Sequence, residues 1–193
     1  EKAGTIGDIG CFSLHASKGI STGEGGLVCT DNEEFADRIR RLAVFGDERA
    51  YRRSRTKAPF YFDPVANNYK MSDITAAIGL TQLKKIDDLI DWRIRIAKEW
   101  NDVIEKDDYL NDVIRIKPKI VKDHTHIYQS YVAVCRDNER QNVMNYFAEK
   151  GFATGIGTHA VHKYPNLFKG DAKPFCEASD YLFRNAISLP RYY

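Results

Sequence analysis

The sequence predicts an α/β chain in two parts, and three observations lead there. Two short apolar runs near the start, 9–14 and 26–30, read as strands and are followed by a helical pattern. A stripe of apolar residues at helical spacing then covers about 35 positions, and beyond an acidic patch at 107–112 the pattern changes to short strands alternating with helices. The expected layout is a first domain over residues 1–107, ending in a long helix at about 72–106, and a small α+β domain over 108–193.

In chain order, Ile9–Leu14 and Gly26–Thr30 are expected to be neighbouring strands joined by a loop rich in Gly, Ser and Thr. Asp31 with Glu34 three residues on signals a helix start, and Phe35, Ile39, Leu42 and Ala43 carry that helix over about 32–45. Gly46–Asn68 lacks periodicity and holds two prolines and a basic run (Arg49, Arg52, Arg53, Arg55, Lys57), which reads as a long loop. From Ser72, the residues Ile74, Ala77, Ile78, Leu83, Ile86, Ile90, Ile94, Ala97 and Trp100 share one stripe. A helix of about 35 residues would reach roughly 50 Å, enough to bridge two domains. Strands are expected at Val113–Ile116 and Tyr128–Cys135, a helix at about 138–150 closed by Gly151, and an extended run at Phe152–Gly157. A last helix carries Phe175, Ala178, Leu182 and Ala186 and is stopped by Pro190. The first strand-like run begins within ten residues of Glu1, which predicts a piece of a longer protein.

Composition narrows the function classes. With 43% apolar and 29% charged residues the chain is expected to fold, and 29 Lys and Arg against 27 Asp and Glu give a net charge of only +2. No global electrostatic footprint for nucleic acid or an anionic membrane results. No apolar run approaches the roughly 18 residues of a membrane span and no signal-peptide order is visible, so a cytoplasmic setting is expected. Cys11, Cys29, Cys135 and Cys176 are far apart, three of them in apolar or small-residue surroundings typical of buried thiols, and read as reduced structural residues. His159 and His162 lack carboxylate or cysteine company, so no metal site is expected.

The stretch Phe12-Ser13-Leu14-His15-Ala16-Ser17-Lys18, followed by Gly23-Glu24-Gly25-Gly26, carries the chemistry. A lysine just after a strand, beside Ser, His and a glycine-rich loop, suits a desolvated amine that condenses with a carbonyl cofactor; the bland alternative is a solvated loop lysine. The glycines match neither the P-loop nor the dinucleotide pattern. The run from Gly7-Asp8 to Gly26, together with Asn68-Tyr69-Lys70-Met71-Ser72-Asp73-Ile74-Thr75-Ala76-Ala77-Ile78-Gly79, resembles the DegT/DnrJ/EryC1/StrS family of sugar aminotransferases. Ser188-Leu189-Pro190 resembles the same family's terminal motif.

The resemblance implies a fold-type I enzyme using pyridoxal 5′-phosphate (PLP). It implies that Lys18 is the Schiff-base lysine and general base, that Ser13 bonds the cofactor phosphate, and that Asn68 reaches that phosphate from the neighbouring subunit of a homodimer with a shared active site. His15, Tyr69 and His162 are candidate substrate contacts, with packing roles as the alternative, and Glu24 is a candidate for positioning backbone near the lysine. Gly157 stands where the family's first histidine of that region is expected. Family members run to nearly twice this length, their upstream half supplying the carboxylate for the ring nitrogen and the ring that stacks on the cofactor. The implied function is transfer of an amino group, from glutamate or glutamine, to a nucleotide-linked keto sugar. Relatives that dehydrate sugars carry histidine at the position of Lys18. A non-catalytic binding or assembly subunit on the same fold is the alternative, and a nucleic-acid binder resting on the arginine run ranks last.

Overall fold

In the computed structural model of the chain, which describes residues 1–46, 65–167 and 176–191, the two apolar runs near the start pair with each other. β1 (Gly10–Ser13) and β2 (Gly26–Cys29) are antiparallel, with Gly10 opposite Cys29 and Ser13 opposite Gly26. Thr30 Oγ1 donates to the Asp8 carbonyl over 2.7 Å and ties the open end of the hairpin. α1 (Glu33–Leu42) follows. Its cap is Asn32 rather than the expected Asp31–Glu34 pair: Asn32 is extended, and its Oδ1 accepts from Phe35 N–H at 3.1 Å. Glu33 and Glu34 in the first turn and Arg40 and Arg41 in the last complement the helix dipole. The helix stops at Leu42, short of the expected 45, because Phe45 takes φ 59° and the segment after Leu42 bonds to 67–69 instead. The basic run from Arg49 to Lys57 lies outside the described residues.

The single helix expected at 72–106 is two: α2 (Asp73–Leu83), capped by Ser72 Oγ on Thr75 N–H, and α3 (Ile86–Lys106). Between them the Lys85 N–H donates to Gln82 three residues back, interrupting the i to i−4 ladder. Lys84 keeps helical angles (φ −64°, ψ −19°), so the apolar stripe runs on across the break and conceals it.

The chain divides into two compact units, Glu1–Asp87 and Asp88–Tyr193. All but the first two residues of α3 therefore belong with the second unit, where Ile96, Ala97, Trp100 and Ile104 are buried in its core. The acidic patch does more than end this helix. Asp107 Oδ1 accepts from Leu110 N–H at 3.0 Å and starts α4 (Asp108–Val113), which runs directly into β3 (Ile114–Ile116). β4 (Tyr131–Cys135), α5 (Arg140–Glu149), β5 (Gly155–Ile156), two short 3-10 turns, α6 (Glu177–Asn185) and β6 (Ala186–Leu189) complete the unit.

The four strands form one antiparallel sheet in the order β3-β4-β6-β5. The strand expected from Tyr128 begins at Tyr131, since Tyr128 sits at φ 46° with its N–H donated to His126 Nδ1. Ala186, expected on the last helix, opens β6 and pairs with Val134, because extended backbone there gains a ladder on both edges. Phe175, expected on the same helix, lies outside the described residues. Gly151, at φ 84°, closes α5 as expected, with Phe152 N–H reaching back to the Phe147 carbonyl.

Of the four cysteines, all free, Cys135 alone is buried; Cys11, Cys29 and Cys176 are exposed, contrary to the expectation of mostly buried thiols. The strands carrying Cys11 and Cys29 form a two-stranded hairpin with Phe12, Leu27 and Val28 also exposed. Burial pushes the Cys135 thiol up to about 11, which suppresses its thiolate. Iodoacetamide at mildly alkaline pH is expected to alkylate Cys176 in the native protein and to reach Cys135 only in denaturant, as read by peptide mass spectrometry. Alkylation of native Cys135 at the rate of Cys176 would refute this. Among the described residues no helix is long and apolar enough to cross a membrane.

Candidate active site

Ser13 ends β1 and faces Gly26 at the start of β2, so residues 14–25 leave and re-enter the hairpin at neighbouring points. Leu14 and Thr22 are buried and anchor this loop. Leu14 N–H donates to the Gly25 carbonyl (2.9 Å), Thr22 N–H to the Leu14 carbonyl (3.0 Å), and Thr22 Oγ1 to the Glu24 carbonyl (2.7 Å). Gly25 has φ 151°, and a Cβ there would stand 2.8 Å from Thr22 Oγ1 and 3.2 Å from Met71 Cε. A Cβ on Gly79, in α2, would lie 3.1 Å from the Thr22 methyl group. The loop is thus seated on the start of α2, which brings together the two stretches that carry the family motifs.

The lysine lies on a tight turn within this loop. Lys18 N–H donates to the His15 carbonyl at 2.9 Å, and Ser17 N–H donates to His15 Nδ1 at 3.2 Å. His15 N–H leans on Ser13 Oγ at 3.4 Å, and His15 Nε2 lies 3.7 Å from Glu24 Oε1. Ser13, His15, Lys18 and Glu24 therefore share one bonded loop. Lys18 itself is exposed, so the desolvated setting expected for its amine is not built by the described residues.

Asn68 is held by backbone. It bridges to Val44, while the flanking Asn67 and Tyr69 N–H groups donate to the Leu42 and Ala43 carbonyls. Its Oδ1 accepts from Lys70 Nζ at 2.6 Å, and Lys70 in turn lies 4.9 Å over the Phe45 ring. Tyr69 is 70% exposed. His162 belongs to the second unit, half-buried on a 3-10 turn with Nε2 4.0 Å from Asp180 Oδ1. Lys163 and Arg184 pair with the same carboxylate, and the Lys163 hydrogen bond is the main cause holding Asp180 below its ordinary carboxyl range. These contacts give His162 a structural partner within its own unit. Among the described residues no group of three His, Cys, Asp or Glu side chains is placed to hold a metal ion.

Gly157 has a steric reason to depart from histidine. Its N–H donates to the Ala186 carbonyl at 2.9 Å, and a Cβ would fall 2.6 Å from Ala186 Cβ and 2.8 Å from Val132 Cγ1. Gly157→Ala is expected to destabilise the protein by about 1–3 kcal/mol in urea unfolding, the range for overpacking a close-packed site. No change in midpoint would show that β6 yields freely. An apolar groove of about 590 Å³ lies between the 151–155 turn and Ser188, Leu189, Pro190 and Arg191, so the terminal motif lines it. Sequence reasoning missed Thr22, Met71 and Gly79 as the seat of the lysine loop. A glycine inside α2, costing about 1 kcal/mol against alanine in a helix, was the available signal of a close approach.

The model of the DegT/DnrJ/EryC1/StrS aminotransferase family matches residues 1–193. The chain belongs to this family. It is similar to the spore coat polysaccharide biosynthesis protein SpsC of Bacillus subtilis, 31% identical over 200 residues that make up 98% of this chain and 50% of SpsC. It is also similar to the GDP-perosamine synthase of Escherichia coli O157:H7, 35% identical over 163 residues, 84% of this chain and 41% of that protein. Among solved structures, the E. coli GDP-4-keto-6-deoxy-D-mannose-3-dehydratase with bound hydrated PLP shares the fold, with a TM-score of 0.78, 20% identity, and coverage of 98% of this chain and 51% of that one. The chain spans about half the length of the curated relatives it matches. It therefore has the mixed α/β fold of half a DegT/DnrJ/EryC1/StrS protein.

Proposed function

We propose that this chain is the lysine-bearing, C-terminal half of a PLP-dependent aminotransferase that passes an amino group from glutamate or glutamine to a nucleotide-linked keto sugar. The observation that carries this reading is the placement of Lys18 on a bonded turn seated against α2, in a chain of an aminotransferase family. The similarity to a GDP-perosamine synthase supports a nucleotide-sugar substrate, and PLP in a structure of the same fold supports the cofactor.

The donor set fits such a group. Ser13 Oγ accepts from His15 N–H and keeps its own O–H to donate to a phosphate. Asn68 Oδ1 is turned to Lys70, leaving its amide NH₂ as the donor side. Lys18 is the covalent anchor and the base that moves a proton at the reacting carbon. When bound, PLP supplies an electron sink for the charge left on that carbon. The carboxylate for the cofactor's ring nitrogen comes from the remainder of the protein, so this half alone neither retains PLP nor turns over. A second copy completes the site: Asn68 reaches the partner's phosphate, and the exposed Ile74, Ile78 and Leu80 of α2 are covered in the dimer. A lysine at position 18, in place of a dehydratase's histidine, favours amino transfer over dehydration.

Borohydride reduction of the complete holoprotein, followed by peptide mass spectrometry, tests this. The cofactor mass is expected on the peptide containing Lys18. Its absence, with no transamination of any nucleotide-linked keto sugar, would put the non-catalytic subunit in front.

A further inference from the structure

We propose that His15 is a positioning residue for Lys18 and Ser13, acting through its Nδ1 and backbone rather than by touching substrate. The proposal rests on the reading of Lys18 above and deepens it. In an Asx-turn, a side-chain oxygen accepts the N–H two residues on and so fixes a tight bend. His15 Nδ1 does the same work here, accepting from Ser17 N–H at 3.2 Å with Ser17 Oγ 3.0 Å from the same nitrogen. A ring nitrogen that accepts a backbone N–H carries no proton, so the proton of the neutral ring sits on Nε2, the side of Glu24. That contact is long, at 3.7 Å, and its side chains are 50% and 85% exposed, which makes it a weak tether. The ring is oriented from its Nδ1 edge.

The backbone of His15 completes the device. Its carbonyl accepts Lys18 N–H at 2.9 Å, closing the turn from which the lysine projects, and its N–H bonds Ser13 Oγ at 3.4 Å. One residue thus touches the proposed covalent anchor and the proposed phosphate donor at once. If the ring contact is lost, the bend at Ser17 opens and both groups shift together. A displacement near 1 Å at such groups costs on the order of 100-fold in rate.

The two ring nitrogens can be separated by substitution. His15→Asn places an amide oxygen at the same bond separation from the backbone as Nδ1, His15→Gln places one near Nε2, and His15→Ala supplies neither. In the complete holoenzyme, His15→Ala and His15→Gln are expected to lower kcat on the order of 10- to 100-fold with KM for the keto sugar unchanged, and His15→Asn to recover to within about threefold of the parent. In the cofactor-free protein, amide exchange at Ser17 and Lys18 is expected to be on the order of tenfold faster in the Ala and Gln variants and restored in the Asn variant, with the Tyr131–Cys135 amides unchanged as the control for folding. Recovery by Gln but not Asn, or a loss carried by KM, would overturn the proposal in favour of a substrate contact at Nε2. Equal protection of the Lys18 amide in all four proteins would overturn it whether or not Lys18 anchors the cofactor, since the exchange measurement does not depend on that reading.

Discussion

On the proposed function, Lys18→Ala is expected to lower amino transfer by the complete protein at least about a thousandfold, because it would remove both the proposed anchor and the proposed base, and base catalysis alone contributes about 10²–10⁴-fold. The fold is expected to survive. Lys18 is exposed, and the bond that shapes its turn, Lys18 N–H to the His15 carbonyl, belongs to the backbone and remains in the variant. Exposed substitutions of this kind usually change stability by less than about 0.5 kcal/mol. Lys18→Arg separates charge from chemistry: a guanidinium keeps the positive charge but stays protonated and is no nucleophile, so it is expected to be as inactive as the alanine variant. Measurement of kcat with the unfolding midpoint in the same preparations decides the matter. A Lys18→Ala protein that keeps a tenth of the parent activity would remove Lys18 from the mechanism, and a midpoint well below the parent's would show that the lysine holds the loop together rather than serving chemistry alone.

What was legible in the sequence follows the range of the interactions. The β1–β2 pair, α1 and α5 rest on contacts within a few dozen residues, and apolar runs, an N-terminal polar cap and Gly151 mark them locally. β6 was hidden because Ala186 continues the Ala178–Leu182 spacing, while the interaction that makes it a strand is with Tyr131–Val134, more than 50 residues earlier. The break at Lys84 was hidden for the opposite reason: its backbone stays helical and no proline or glycine marks it. In the candidate site, motif resemblance singled out Ser13, Lys18 and Asn68 as candidates, and their local bonds came only from the structure. The part played by His15 was not, since a ring nitrogen bonded to a backbone N–H two residues on leaves no pattern in the order of side chains. Gly157 shows the same limit, because its requirement comes from Val132 and Ala186 across the sheet.

Phe147→Ala is the largest stability effect expected in the second unit. Phe147 is 2% exposed on the buried face of α5 and stands edge-on to Trp100, with ring centroids 5.6 Å apart at 87°, and to Phe152 at 6.4 Å and 87°. Truncation loses the transfer free energy of a buried ring and leaves a cavity lined by groups tied elsewhere: Trp100 is fixed by its Nε1 bond to the Pro190 carbonyl at 2.8 Å, so it cannot follow the vacated space without giving up that bond. The cost is expected at about 3–5 kcal/mol, against about 5–15 kcal/mol for a whole domain. Trp92 and Trp100, the two tryptophans of this chain, lie on α3, so the chain's intrinsic fluorescence in urea reports on this unit. With a slope of about 1–3 kcal/mol per molar urea, the midpoint is expected to fall by roughly 1 M or more. Phe35→Ala on α1, where the ring is 39% exposed and no residue of the helix is buried, is expected to leave the tryptophan transition in place. Equal shifts in the two variants would mean that the core around Phe147 does not hold the second unit together.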